Sequence, residues 1–365
     1  MMFHDKLKMM ATLAGVIFSV ILANQGAGTF LGLLHKNTML VESAGADLWI
    51  VPPLTQTLQG GKTLPDAVLM AARTTPGVTW AEPVLYGNAT LALPGGGSEA
   101  VTVIGTRYPA YRGGPWNMVR GSREVLAEPD TMIFEDFDRE KFGNLDLGSV
   151  RELNGRNVRA GGFTYGLIPF GPSYAFADYD LARLLLKQDS DRVSYVIVKV
   201  APGSDIARVK ADLQARTPDA TVMTTKELSA SVVQYVLVST SLGITIGSST
   251  VVAIVVGFLI VGLSMFSSVV DNLREFGTLK AIGATTWDLG FILFTQAVTF
   301  ALGGTMIGLA AISKMADGIR SATMTFILPG ELFLATFILM LVLCTLASSL
   351  SLLRLRKLEP AMVFQ

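Results

Sequence analysis

Four stretches of this chain carry no Asp, Glu, Lys or Arg: Met9–Leu34, Leu228–Val270, Leu289–Ile312 and Leu332–Leu353. About 20 apolar residues suffice to cross the hydrocarbon core of a bilayer, so each run is a transmembrane candidate. In lipid the backbone must satisfy its own hydrogen bonds, which makes these runs helices. Half of the residues are hydrophobic and only 16% are charged, with a positive mean hydropathy, which excludes an ordinary soluble enzyme.

The formal net charge is zero, so the distribution of cations has to orient the chain. One set of short segments holds Lys6 and Lys8, then Arg274 and Lys280, then Arg354, Arg356 and Lys357, whereas the opposite short loop holds Lys314 and Arg320. The positive-inside rule places both termini and the 271–288 loop in the cytoplasm, with residues 36–230 outside. The chain is thus expected to be a multi-pass membrane protein. The expected order is an interfacial segment 1–8, a first span 9–35, an external domain 36–230, a stalk plus second span 231–270, a cytoplasmic segment 271–288, a third span 289–312, an external loop 313–330, a fourth span 331–353 and a tail 354–365. A cleaved signal peptide ending near Ala23-Asn24-Gln25 is the competing reading of the N-terminus, although the apolar pattern resumes through Phe30, Leu31, Leu33 and Leu34. Phe3 and Leu7, with charges between them, suit a short interfacial helix or a frayed end. The single cysteine, Cys344, lies in the fourth run, so the external domain is expected to fold without disulfides.

Within the external segment, Ala46–Val51 reads as a strand and Leu64–Thr74, entered at Pro65, as a helix. Val78–Leu93 and Ala100–Arg107 read as a hairpin joined by Pro94-Gly95-Gly96-Gly97. Further along, Arg192–Val200 alternates like a strand, Ser204 is a plausible N-cap for a helix to Arg216, and Ala220–Met223 is another strand. This pattern predicts a core subdomain from 45–107 and 187–227, interrupted by an inserted subdomain at 108–186. The insert holds Arg112-Gly113-Gly114-Pro115-Trp116 and Tyr165-Gly166-Leu167-Ile168-Pro169-Phe170-Gly171-Pro172, turn-rich segments for loop packing or for a partner-binding face. The second charge-free run, at 1.5 Å per residue, would reach roughly 65 Å, twice the hydrocarbon thickness. Its start, Leu228 to about Ser241, is therefore expected to form a stalk beside Leu34–Glu42.

Catalytic constellations are thin. Gly60-Gly61-Lys62-Thr63 imitates the end of a P-loop, but the leading Gly is replaced by Gln56 and Pro65 follows closely. With only His4 and His35, no histidine triad or multi-histidine metal site is available. The acidic run Glu135, Asp136, Asp138, Glu140 reads as a hydrated surface or, less simply, a calcium site. No cofactor, metal ligand or nucleic-acid site is expected in the chain. In the spans, Gly243 with Gly247 and Gly304 with Gly308 are small-residue pairs suited to helix packing or a dimer seam, or reflect only the glycine content of apolar helices. Asn24, Gln25 and Gln296 should face protein rather than lipid.

The order of these elements, the segment Arg274-Glu275-Phe276-Gly277-Thr278-Leu279-Lys280-Ala281-Ile282-Gly283-Ala284-Thr285 before the third span and the tail Lys357-Leu358-Glu359-Pro360-Ala361 together resemble the FtsX/MacB-like permeases of ABC systems, above all the stand-alone DevC-type permeases. The resemblance implies an α-helical membrane protein with four transmembrane helices and a large α+β periplasmic domain of two subdomains between the first and second. It implies a non-catalytic, homodimeric permease of mechanotransmission type, located in the inner (cytoplasmic) membrane, that recruits a separate ABC ATPase, which binds the ATP and Mg. The segment matching Arg274, Glu275, Gly277, Leu279, Lys280, Ala281, Gly283 and Ala284 is implied to be the coupling helix docked on that ATPase. The residues themselves are compatible: Phe276, Leu279 and Ile282 form a possible apolar stripe, Arg274, Glu275 and Lys280 offer ionic contacts, and Gly283 permits the turn, while a solvated loop obeying the charge rule fits as well. Efflux through a periplasmic membrane-fusion adaptor and a TolC-like outer-membrane channel is the expected function. Extraction of lipoproteins or glycolipids from the outer leaflet, or FtsX-like regulation of a cell-wall hydrolase, are the alternatives.

Overall fold

The computed structural model describes residues 6–59, 61–168, 171–271, 273–319 and 327–356. The tail motif 357–361, residues 1–5 of the N-terminal segment, and Gly60, Pro169, Phe170 and Arg320 lie outside them. The chain divides into two compact units: a sheet unit of residues 33–240 with 321–325, and a helical unit of residues 1–32, 241–320 and 326–365. Helix α1 (Lys6–Ser43) contributes residues to both.

The sheet unit runs β1 (Leu48–Val51), β2 (Leu64–Pro65), α2 (Ala67–Arg73), β3 (Val78–Ala92), β4 (Ser98–Thr106), β5 (Met118–Arg120), β6 (Thr131–Glu135), β7 (Val150–Leu153), β8 (Arg156–Thr164), β9 (Tyr174–Asp178), α3 (Tyr179–Leu186), β10 (Arg192–Val193), β11 (Tyr195–Val200), α4 (Ile206–Arg216), β12 (Thr221–Thr224) and α5 (Thr225–Ser239). Ten of the strands form one mixed sheet in the order β12-β1-β11-β3-β4-β9-β6-β8-β5, with β7 bridging β3 and β8. The segment expected as an inserted subdomain does not build a sheet of its own. Its strand β9 lies parallel to β4, pairing Thr102 with Tyr174 through Thr106 with Asp178, and β6, β8 and β5 extend the same sheet outward. Non-local pairing of this kind leaves no trace in local composition.

Both faces of the sheet are covered, and strand alternation assigns residues to them. Leu48, Ile50, Val103, Ala175, Val196 and Val198 face one apolar layer with Leu69, Ala182, Leu185 and Leu213 of α2, α3 and α4. Trp49, Val51, Ile104, Phe176 and Ile197 face the other, where Met39, Leu40 and Val41 of α1 and Leu228 of α5 pack. The helix expected from Ser204 begins one residue later, because Asp205 is the N-cap and its carboxylate accepts the Ala207 N–H at 2.9 Å. The expected strand 192–200 is interrupted at Ser194, whose hydroxyl accepts the Tyr86 N–H. Glu135 departs from the hydrated acidic surface expected for 135–140: it is fully buried at the end of β6.

The helical unit holds the first part of α1 together with α6 (Ser241–Asp271), α7 (Leu273–Ala281), α8 (Thr286–Ile319) and α9 (Gly330–Arg356). Among the described residues three helices are long and apolar enough to cross a membrane, over Met10–Ser43, Gly243–Ile260 and Trp287–Met315, while α9 offers a shorter apolar stretch, Gly330–Leu346. The uncharged run 228–270 is not one helix. It breaks at Thr240, whose φ of −107° and ψ of 145° are extended, so α5 and α6 are separate. Val16 and Val20 of α1, Ala297, Phe300 and Ala301 of α8, and Met340 and Cys344 of α9 form the apolar centre of this unit.

Candidate coupling site

The segment 274–284 is α7 and the turn that follows it. Phe276 is 4% exposed and packs with Leu289 and Leu293 of α8, while the half-buried Leu279 and Ala284 close the same cluster. The end of α7 is a Schellman motif. The Ala284 N–H donates to the Leu279 carbonyl at 2.9 Å and the Gly283 N–H to the Lys280 carbonyl at 3.2 Å, with Gly283 at φ +112°, a conformation side-chain-bearing residues rarely adopt. The start of α8 is a reciprocal capping box. The Thr285 N–H donates to the Asp288 carboxylate at 2.8 Å and the Asp288 N–H to the Thr285 hydroxyl at 3.3 Å. Two caps and one apolar cluster therefore define a turn only a few residues long.

The expected stripe of Phe276, Leu279 and Ile282 is split. α7 ends at Ala281, so Ile282 leaves the helical face and is 85% exposed, whereas Phe276 and Leu279 point into the α7–α8 contact. Trp287, which the sequence reasoning did not single out, is 86% exposed in the first turn of α8. Its signal was readable: Trp287 is the residue just before Asp288 inside the Thr285-x-x-Asp288 cap, in the first turn, while Leu289 and Leu293 already anchor the helix. Glu275 and Ala281 are exposed and Gly277 is buried; Arg274 belongs to α7. The described part of the chain thus presents an apolar tip, Ile282 and Trp287, flanked by the charged Glu275 and by Lys280.

The two glycine pairs have different surroundings. A Cβ built on Gly304 would stand 2.4 Å from Val16 Cγ1, and one on Gly308 would stand 2.7 Å from Val20 Cγ1, so these glycines let α8 approach α1 within the same chain. Gly243 is buried, and a Cβ on Gly247 would meet nothing within 4 Å. Asn24 is fully buried, donates to the Val20 carbonyl at 2.8 Å and accepts the Thr336 hydroxyl of α9 at 3.2 Å. Gln25, expected to face protein, is exposed in the single chain. In the sheet unit, Gly61, Lys62 and Thr63 of the P-loop look-alike lie in the connection from β1 to β2, and the short strand β2, not a helix, follows directly.

A bundle of apolar helices with a charged helical hairpin, joined to a mixed α/β sheet domain inserted after the first helix, is the architecture of a membrane permease with a large extramembrane domain. Two family models account for it: the MacB-like periplasmic core domain matches residues 9–216 and the FtsX-like permease C-terminal matches residues 247–360, which includes the whole α7–α8 hairpin. The chain belongs to the FtsX/MacB-like permease family of ABC transporters. Among solved structures, the periplasmic region of MacB from Actinobacillus actinomycetemcomitans is similar at 10% identity and a TM-score of 0.39, over 52% of this chain and 93% of that one. The extracellular domain of the noncanonic ABC-type transporter YknZ from Gram-positive bacteria is similar at 13% identity and a TM-score of 0.35, over 49% of this chain and 98% of that one. No curated protein matches the chain.

Proposed function

We propose that this chain is the permease subunit of an ABC export system. A separate ATPase, which binds the ATP and Mg, docks on the α7–α8 hairpin, and its nucleotide cycle is converted into movement of the MacB-like periplasmic domain. The chain works as a homodimer in the inner membrane with both termini cytoplasmic, and the moving domain drives substrate from the periplasm through a membrane-fusion adaptor and a TolC-like outer-membrane duct.

The observation that carries the docking step is the exposed pair Ile282 and Trp287 on a turn held from both sides. Two large apolar side chains at a rigid tip lose little conformational entropy when a partner covers them, the property that marks interface anchors. The test is a tagged pull-down of the full chain in mild detergent, with mass spectrometry of the retained proteins and ATPase activity of the eluate. Retention of an ATPase and an adaptor is expected for wild type, and the double substitution I282S/W287S is expected to lose the ATPase while still inserting in the membrane. If I282S/W287S retains and stimulates the ATPase as wild type does, docking at this tip is wrong. Trp287 would then be an interfacial anchor of the third span.

A further inference from the structure

Helix α1 meets the sheet unit at a point remote from its own chain connection. α1 leads directly into β1, second in the strand order, yet its Lys36 reaches the loop after β8, near the opposite edge. Lys36 is 4% exposed and its Nζ donates to the Gly166 carbonyl at 2.5 Å. The same glycine is held from the other side: its N–H donates to Glu135 Oε1 at 2.6 Å, the Leu167 N–H donates to Oε2 at 3.0 Å, and the Thr164 hydroxyl donates to Oε2 at 3.2 Å. One residue along, Tyr165 is tied to the segment that enters β5, its N–H donating to the Asn117 carbonyl at 3.1 Å and its carbonyl accepting Asn117 Nδ2 at 2.5 Å.

We propose that Lys36 and Glu135 clamp the Gly166 peptide between opposite charges and thereby latch the 164–167 loop, and with it the β5 edge of the sheet, to helix α1. Apolar packing of Met39, Leu40 and Val41 holds α1 against the sheet but tolerates sliding. Directional bonds to one peptide do not, because a shift of a single helical turn breaks them. Burying a carboxylate and an ammonium is unfavourable by itself, and such groups fix position more than they add stability. Displacement of α1 along its axis is in this way delivered to the far edge of the sheet as well as to β1. The inference stands on geometry inside the sheet unit and is independent of docking at α7–α8.

The test is hydrogen exchange of the full chain in detergent, comparing wild type with K36M. Lys36 bonds the Gly166 carbonyl, whereas the Gly166 and Leu167 N–H groups are bonded to Glu135, so a role confined to that carbonyl leaves the two N–H bonds in place. The latch requires their exchange, and that of Tyr165, to rise about tenfold while β1, β11 and β3 keep their protection. If K36M unfolds because Glu135 is left buried and uncompensated, K36M/E135R is unsuitable and K36M/E135Q, which removes that charge, takes its place with the same expectation. Wild-type exchange at 165–167 in a folded variant overturns the proposal, as does a rise spread over the whole sheet in both variants.

Discussion

The two units differ in where their large apolar residues lie. In the sheet unit the interior is apolar and bulky, with Trp49, Phe134, Phe163 and Phe176 almost wholly enclosed, and polar side chains lie mainly outside. In the helical unit many large apolar residues point outward, including Val252, Leu259, Leu263, Phe291 and Met306, while the contacts between helices pair small residues, Gly304, Gly308, Ala297 and Ala301, with Val16, Val20, Phe300 and Met340, and include the buried Asn24–Thr336 hydrogen bond. In water, burial follows hydrophobicity; where lipid covers the outside, hydrophobicity no longer sorts residues and close approach does.

The comparison breaks first, and by the largest margin, in the sheet core. Phe176→Ala removes a fully buried ring that packs on Trp116 and Tyr174, and a loss of about 3–5 kcal/mol is expected, read from the denaturation midpoint of the full chain. A Phe291→Ala change on the outward face of α8 should cost far less in the same assay; equal losses would refute the inside-out contrast.

Next come the glycines. Gly304→Leu drives a side chain into Val16 and should cost about 1–3 kcal/mol, seen as a lower melting temperature in detergent, whereas Gly247→Leu has open space and should leave the melting temperature of the monomer unchanged. A change in oligomeric state confined to Gly247→Leu would place a dimer seam on α6.

The pH dependence of the sheet unit sharpens the picture of its one enclosed acid. Burial holds the Glu135 carboxyl above the usual carboxylate range, against the opposing pull of the Gly166 and Leu167 N–H groups, the Thr164 hydroxyl and Lys36. The folded state therefore binds the proton more tightly than the unfolded state. This contribution to stability is present below the unfolded value and is lost as pH rises through the raised folded one. The denaturation midpoint of wild type should fall relative to E135Q as pH rises above the ordinary carboxylate range, and parallel curves would show that Glu135 titrates as an ordinary surface acid.

The smallest effect belongs to the polar contact in the helical unit. Thr336→Val removes the bond to Asn24 and should cost about 0.6 kcal/mol, since hydrogen bonds between membrane helices are worth little more on average. A loss several times larger in thermal stability in detergent would show that polar contacts, and not close approach of small residues, hold the helical unit together.

Much of the α7–α8 hairpin was legible in the residues. Gly283 followed by Thr285 and Asp288 is a helix stop followed by a helix start, and both caps form. The division of labour along it was not legible. Phe276, Leu279 and Ile282 share an apolar character, but the helix ends before Ile282, so two become anchors and one becomes surface, and Trp287 joins it there. In the acidic run 135–140, the polarity of Glu135 pointed outward, and the amides that enclose it come from a loop some thirty residues away.

By itself the sequence determined the long apolar helices, the charged hairpin between two of them, the β3–β4 hairpin at Pro94–Gly97 and the family, because hydropathy, turn chemistry and capping act over a few neighbouring residues. The tertiary structure alone decided that 108–186 extends one sheet instead of folding apart, that Gly304 and Gly308 serve α1, and that Lys36 and Glu135 meet across one peptide. Each of these depends on residues far apart in the chain coming together, and no local property of either partner records that meeting.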